Sequence, residues 1–302
     1  MWLIFTAIAP VFLLIVMGYG LRRGGIPSTE FWNLNDKLVY WVLMPALFFA
    51  KISAADLGGD LKNLATLLYP GFFVAILLGA AIGMAVAAPQ AASLMQGSAR
   101  FNTFIALAIA ESLFGAPGLQ VAVLASAILV PVVNVTVVTM MTYRLGGSRK
   151  GVFKGLARNP LILSIGAGVI FNLIGLREVP VLHDSAQILG NAALPIMLLC
   201  VGASLKLRGL SGSRTIIALS MVPKFLLFPI VVFSIGYLLK LDPLLIQVAL
   251  IYAALPTGVA SYTLAREMGG DAPLMAAIIT VQTLISFLTI PLTLFLAQTV
   301  LS

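Results

Sequence analysis

The sequence predicts an all-α membrane protein whose ten transmembrane helices form two halves of opposite topology. Three observations carry this. The first is composition: of 302 residues, 61% are hydrophobic and 9% charged, and the mean hydropathy is +1.09. A soluble chain carries charge on about a quarter of its residues, so most of this surface must face lipid. The second is a series of ten apolar segments, and the third is the side on which the basic residues gather.

The segments run over residues 2–21, 30–50, 62–87, 91–115, 119–142, 159–176, 184–205, 214–239, 244–266 and 272–300. The first, "MWLIFTAIAPVFLLIVMGYGLRR", has no basic leader and no small-residue cleavage site, so it reads as a retained span. The fourth is unusual. Its apolar run from Phe101 to Phe114 has 14 residues, whereas a span needs about 20. The helix must start earlier, in "QAASLMQGSA", which puts Arg100 and Asn102 near mid-span.

Loops after spans 1, 5, 7 and 9 hold Arg22, Arg23, Arg144, Arg149, Lys150, Lys154, Arg158, Lys206, Arg208, Arg214 and Arg266. Loops after spans 2, 6 and 8 hold Lys51, Lys62, Arg177 and Lys240, offset by Asp56, Asp60, Glu178, Asp184 and Asp242. Basic loops stay in the cytoplasm, so both termini are expected outside the cytoplasmic membrane. The formal charge of +8 then reflects those loops and not nucleic acid binding. The most basic connection, 144–158, separates five spans from five. Residues 1–302 thus form one transmembrane domain, with a first inverted repeat at 1–143 and a second at 159–302.

Weak internal similarity fits that division. "VLMPALFFAKIS" in span 2 resembles "AALPIMLLCVGAS" in span 7, and the polar break "RFNT" of span 4 is matched by "ALPTGVASY" in span 9. Two interrupted helices in corresponding positions point to a transporter's binding site; kinks that serve packing alone are the other reading. Enzymes are disfavoured. His183 is the single histidine and Cys200 the single cysteine, so no metal site, disulfide or nucleophile–base set can be assembled. "GAPG" at Gly115 lacks the Lys-Ser/Thr of a phosphate loop. No cofactor is implied.

Six stretches together resemble the auxin efflux carrier family, which includes the plant PIN carriers and bacterial permeases for malate and malonate. They are "KLVYWVLMPALFFA", "RFNTFIALAIAESLFG", "SAILVPVVN", "PKFLLFP", "LPTGVASYTLAREMGGD" and "TLISFLTIPLTL". The resemblance covers nearly the whole chain. It implies inverted five-helix repeats similar to bile-acid-type symporters, with spans 1, 2, 6 and 7 as a scaffold. Spans 3–5 and 8–10 would move as an elevator-like transport domain, with broken helices 4 and 9 crossing inside it. The plant crossover reads Pro-Asn-Thr, while here it is Phe101-Asn102-Thr103, and a later family proline is replaced by Ala108. The second crossover, Leu255-Pro256-Thr257-Gly258, is intact. Asp36 stands where relatives often carry Asn.

The residues name candidate roles. An arginine at midplane is costly unless paired, and its planar fork matches a carboxylate. Arg100 therefore holds an anionic substrate, pairs with a carboxylate such as Glu111, or lies at the membrane surface if span 4 starts later. Asn102, Thr103, Pro256, Thr257 and Gly258 would complete the pocket or cap the half-helices. Asn134 would face the site or bond a neighbouring helix. Lys224, deep in span 8, would attract the anion, neutralise an acid or snorkel to the surface. Glu111 is a candidate proton carrier, and Asp36 a charge-compensating residue or half of a solvated pair with Lys37.

The expected partners are a small organic anion, membrane lipid, a proton or sodium as coupling ion, and a second copy of the chain as a homodimer. A sodium-coupled bile-acid-type importer would need amides and carboxylates around both breaks, for which Glu111, Asn102 and Gln282 are candidates. A receptor that does not transport is the reading from another class, and it would be expected to append a signalling domain.

Overall fold

About 20 helical residues are needed to cross a bilayer's hydrocarbon core, and helix length is the first thing the structure settles. A computed structural model describes residues 2–55, 57–146, 159–206 and 214–301. Among the described residues six helices are long and apolar enough to span a membrane, and Pro160–Leu173 and Pro243–Ala254 are shorter apolar ones. Asp56, Arg149, Lys150, Lys154, Arg158 and Arg208 lie outside the described residues, as does most of the 144–158 connection.

The chain opens with α1 (Trp2–Arg23), followed by α2 (Thr29–Leu38), a π-helical turn π1 (Val39–Leu43) and α3 (Met44–Ser53). Helices α4 (Gly59–Gly83), α5 (Ala88–Ala99) and α6 (Thr103–Leu145) come next. After the basic connection come α7 (Pro160–Leu173) and α8 (Leu182–Ser204), then α9 (Arg214–Met221), a second π turn π2 (Val222–Leu227) and α10 (Phe228–Leu238). The chain ends with α11 (Pro243–Ala254), α12 (Ala260–Met268) and α13 (Ala272–Leu301).

Local chemistry sets the boundaries. Ser28, Asn159 and Asp242 are side-chain N-caps; the Asp242 carboxylate accepts from the Leu244 N–H at 2.8 Å and the Asn159 amide oxygen from Leu161 at 2.9 Å. Pro160 and Pro243 follow their caps directly, where a missing N–H costs nothing. Gly146 (φ 75°) and Gly269 (φ 81°) close α6 and α12 in the left-handed conformation. At 43 residues α6 would measure about 65 Å if straight, roughly twice the hydrocarbon thickness. Gly115, at φ 62° and ψ −150°, divides it into two stretches.

Both π turns have a proline just beyond them. Pro45 would clash with the carbonyl four residues back, at Trp41, and Pro229 with that of Phe225. Widening the turn relieves the clash. The Met44 N–H bonds back to Val39 and the Phe228 N–H to Pro223, each spanning five residues.

Packing divides the helices into two groups. Helices α1, α3, α7 and α8 pack on one another, and α4–α6 pack with α9–α13. In the first group α1 and α8 meet through glycines: a Cβ on Gly18 would lie 2.0 Å from the Leu199 carbonyl oxygen, and one on Gly202 would lie 1.8 Å from that of Ile15. Small residues let backbones approach closely where lipid gives no hydrophobic drive to helix association. Asn172 of α7 adds a polar clamp, its amide donating to the Ser53 and Ala55 carbonyls, both at 2.7 Å, at the end of α3. Large apolar side chains such as Trp2, Leu3, Trp41, Leu77 and Ile188 are exposed, as a lipid-facing surface requires.

Candidate functional site

Two extended segments meet in the second group of helices. α5 stops at Ala99; Arg100 (φ −69°, ψ 148°) and Asn102 (φ −92°, ψ 94°) are extended, and α6 begins at Thr103. α11 stops at Ala254, Leu255 is extended (φ −70°, ψ 149°), and α12 begins at Ala260. The Asn102 N–H donates to the Pro256 carbonyl at 2.9 Å. A Cβ on Gly258 would lie 2.7 Å from the Phe101 carbonyl oxygen, so glycine is what permits the approach.

Buried backbone groups need partners, and polar side chains supply them here. The Asn102 amide oxygen accepts from the Phe104 and Ile105 N–H groups at 3.1 and 3.3 Å, which makes Asn102 the N-cap of α6. Gln282 of α13 is fully buried and joins several elements. Its Oε1 accepts from the Thr257 N–H at 3.0 Å and from the Thr257 hydroxyl at 2.7 Å. Its Nε2 donates to the Gly97 carbonyl at 2.9 Å and to the Ser220 hydroxyl at 3.2 Å.

A cavity of about 1060 Å³ opens beside this junction. It runs from Arg100, Asn102, Thr103 and Gly258 past Asn134 and Tyr40 to Asp36, Glu267, Leu145 and Asn159. The last two flank the basic connection, so the cavity reaches the end of the molecule that carries it. Helix π1 and α8 contribute the opposite wall, with Tyr40, Met197 and Cys200. The site therefore lies between the two helix groups.

The Arg100 guanidinium donates Nη2 to the Asn134 amide oxygen at 3.1 Å, while its Nη1 is buried without a partner. The Asn102 Nδ2 is likewise buried and unpaired. Two donors with nothing to donate to, on residues lining one cavity, are suited to an acceptor-rich ligand. Helix α6 directs its N-terminus at the same junction and adds positive potential.

Six expected site residues line the cavity: Arg100, Asn102, Thr103, Asn134, Gly258 and Asp36. Pro256 and Thr257 do not; they are buried and hold the two segments together through their backbone and the Thr257 hydroxyl. Glu111 is exposed on α6, outside the cavity. Lys224 is fully buried on π2, and its Nζ reaches neither an acceptor nor an aqueous surface. Asp36 and Asn35 approach Cys200, the Asn35 amide at 3.4 Å from its sulfur. The residues missed include Tyr40, Asn159, Cys200, Thr263 and Glu267, which line the cavity, and Gln96 beside it in sequence. Tyr40 could have been noticed as a hydroxyl inside an apolar span, one π turn before Pro45; Gln96, fully buried with both amide atoms unpaired, sits in the mildly polar run before Arg100.

Comparison with known proteins places the chain. Residues 3–294 match a family model described as membrane transport protein. A Rhizobium meliloti protein named "Putative malonate transporter" is 28% identical over 96% of this chain and 95% of its own length. A Methanothermobacter thermautotrophicus protein named "Uncharacterized transporter" is 24% identical over 93% and 94%. Rice auxin efflux carrier component 2 is 29% identical over 38% of this chain and 19% of its own length. With nearly its whole length matched, the chain belongs to the membrane transport protein family that includes the auxin efflux carriers, a family of transporters and not of enzymes.

Proposed function

We propose that the protein is a secondary transporter of small organic anions, with carboxylates such as malonate as the substrate class. The observation that carries this is the Arg100 guanidinium, fixed on one side by Asn134 and left with an unpaired buried Nη1 at the cavity wall. A carboxylate accepts from a guanidinium in a charge-assisted bond, with two oxygens to share between Nη1 and the Asn102 amide. The Rhizobium meliloti relative's name supports the same chemistry.

The helix groups support an elevator reading. In it α1–α3, α7 and α8 form the scaffold, and α4–α6 with α9–α13 form the moving domain that carries the crossed half-helices. The two halves are then inverted five-span repeats, 1–143 and 159–302. The cavity reaches the end that carries the basic connection, which we assign to the cytoplasm. This conformation is therefore inward-facing, with both termini outside. At the opposite end Gln120 of α6 donates to the Lys51 carbonyl at 3.2 Å and ties the moving group to the scaffold.

The test is counterflow in liposomes. Purified protein, loaded inside with unlabelled malonate, should accumulate labelled malonate from outside, and succinate or malate should compete. Absence of exchange for every small carboxylate tried, from protein shown to be monodisperse, would refute the substrate class.

A further inference from the structure

The cavity wall opposite Arg100 carries a further donor. Tyr40 belongs to π1, which packs on α2, α3, α7 and α8, and its side chain lines the cavity. Its hydroxyl makes no hydrogen bond to any of the described residues. It does interact electrostatically with the Arg100 guanidinium, and among the described residues it is the one titratable group that does. The two side chains thus approach each other from different helix groups, with the cavity and no hydrogen bond between them.

The sequence accounts for this placement. Pro45 widens the turn before it, which puts one additional residue between Tyr40 and α3. One residue is roughly 100° of helical rotation. Leu47 can therefore lie against Gly190 of α8 and Ile52 against Gly168 of α7, while Tyr40 turns to the cavity. The Trp41 ring meets the Tyr40 ring edge-on, at 5.8 Å between centroids, and braces it.

An ionised carboxylate accepts at about four lone-pair sites, more than the Arg100 Nη1 and the Asn102 amide occupy. We propose that the Tyr40 hydroxyl is the scaffold's contact with the transported anion, donating to the carboxylate that Arg100 holds. The proposal rests on the organic-anion and elevator readings and deepens them. Arg100 travels with the moving group and Tyr40 stays behind, so the bond exists in this conformation and breaks when the substrate is carried to the other side. Tyr40 thereby raises affinity on one side of the membrane and not on the other.

The experiment is equilibrium binding of labelled malonate to full-length protein held in this conformation. Lys51→Cys and Gln120→Cys, placed where α6 meets the end of α3, are bridged by a bifunctional thiol reagent in a Cys200→Ser background. Bridging matters because the other conformation, in which Tyr40 has no part, would hide a loss. Tyr40→Phe keeps the ring and removes one donor, so malonate affinity should fall about tenfold in the bridged protein. Without malonate the variant should melt with its parent, since the hydroxyl holds no part of the fold.

Parent binding that Arg100→Ala weakens and Tyr40→Phe leaves untouched overturns the proposal and spares the organic-anion reading. A melting temperature several degrees lower without malonate also overturns it, because the hydroxyl would then serve the fold. So does a parent that binds malonate unbridged but not bridged. If neither form binds malonate or another small carboxylate, the organic-anion reading fails and the proposal falls with it.

Discussion

Replacing Arg100 tests the proposed anion site, because one of its terminal nitrogens bonds Asn134 and the other has no partner in the protein. Nη2 is engaged with Asn134 at 3.1 Å and Nη1 is buried and free. A carboxylate docked on Nη1 gains a charge-assisted bond of about 1.5–3 kcal/mol. Arg100→Ala should therefore weaken malonate binding by about tenfold to a hundredfold. Arg100→Lys keeps the charge but cannot reach Asn134 and the ligand with one planar fork, so its loss should be smaller. Asn134→Leu removes the brace and leaves the charge, and it should fall between wild type and Arg100→Ala. The assay is equilibrium binding of labelled malonate in detergent. Arg100→Ala also leaves the Asn134 oxygen unpaired, at about 1–3 kcal/mol of stability if no water replaces it, so each variant must first elute as a single monodisperse species. Wild-type affinity in a well-folded Arg100→Ala protein would refute the reasoning and move the anion site elsewhere in the cavity.

Other outcomes follow from the packing and the topology. Gly202→Val should prevent assembly of α1 with α8, because even its Cβ would sit 1.8 Å from the Ile15 carbonyl oxygen; yield and thermal unfolding report this, and a wild-type melting temperature would contradict the close contact. Gln282→Leu strips the Thr257 N–H of its acceptor, at about 1–3 kcal/mol, and leaves the Gly97 carbonyl with the Thr257 hydroxyl alone. Its melting temperature should fall by several degrees even though Gln282 does not line the cavity. A cysteine introduced between Arg144 and Arg158, in a Cys200→Ser background, should resist an impermeant thiol reagent applied to intact cells; labelling from outside would reverse the assigned orientation.

The membrane class and the family were legible because each rests on many residues at once. Apolar spans announce themselves by composition, and the six stretches of resemblance run in order along the chain. Helix lengths were less legible, since the signal for a span is apolar content and not backbone continuity. The segment at 159–176 is helical only from Pro160 to Leu173, and the one at 244–266 is two helices. The π turns left no periodicity to read. Pro45 and Pro229 mark them only once the carbonyl four residues back is considered.

The site shows the same division between chemistry and geometry. Arg100 stood out by its cost in the membrane, and Asn102 by its capping chemistry. Yet nothing in "RFNT" says what would hold an extended segment open. The structure answers with distant residues. Asn102 caps α6 with its side chain and donates its N–H to Pro256; Gly258 admits the Phe101 carbonyl, and Gln282 bonds the 255–259 segment and the last turn of α5 together. Pro256 in one segment thus helps hold the other, and a second proline at position 101 is not needed to keep that segment extended. Thr257 illustrates the limit from the other side. Its hydroxyl suits a ligand as well as Arg100 does, and only the position of Gln282, 25 residues along the chain, assigns it to the framework.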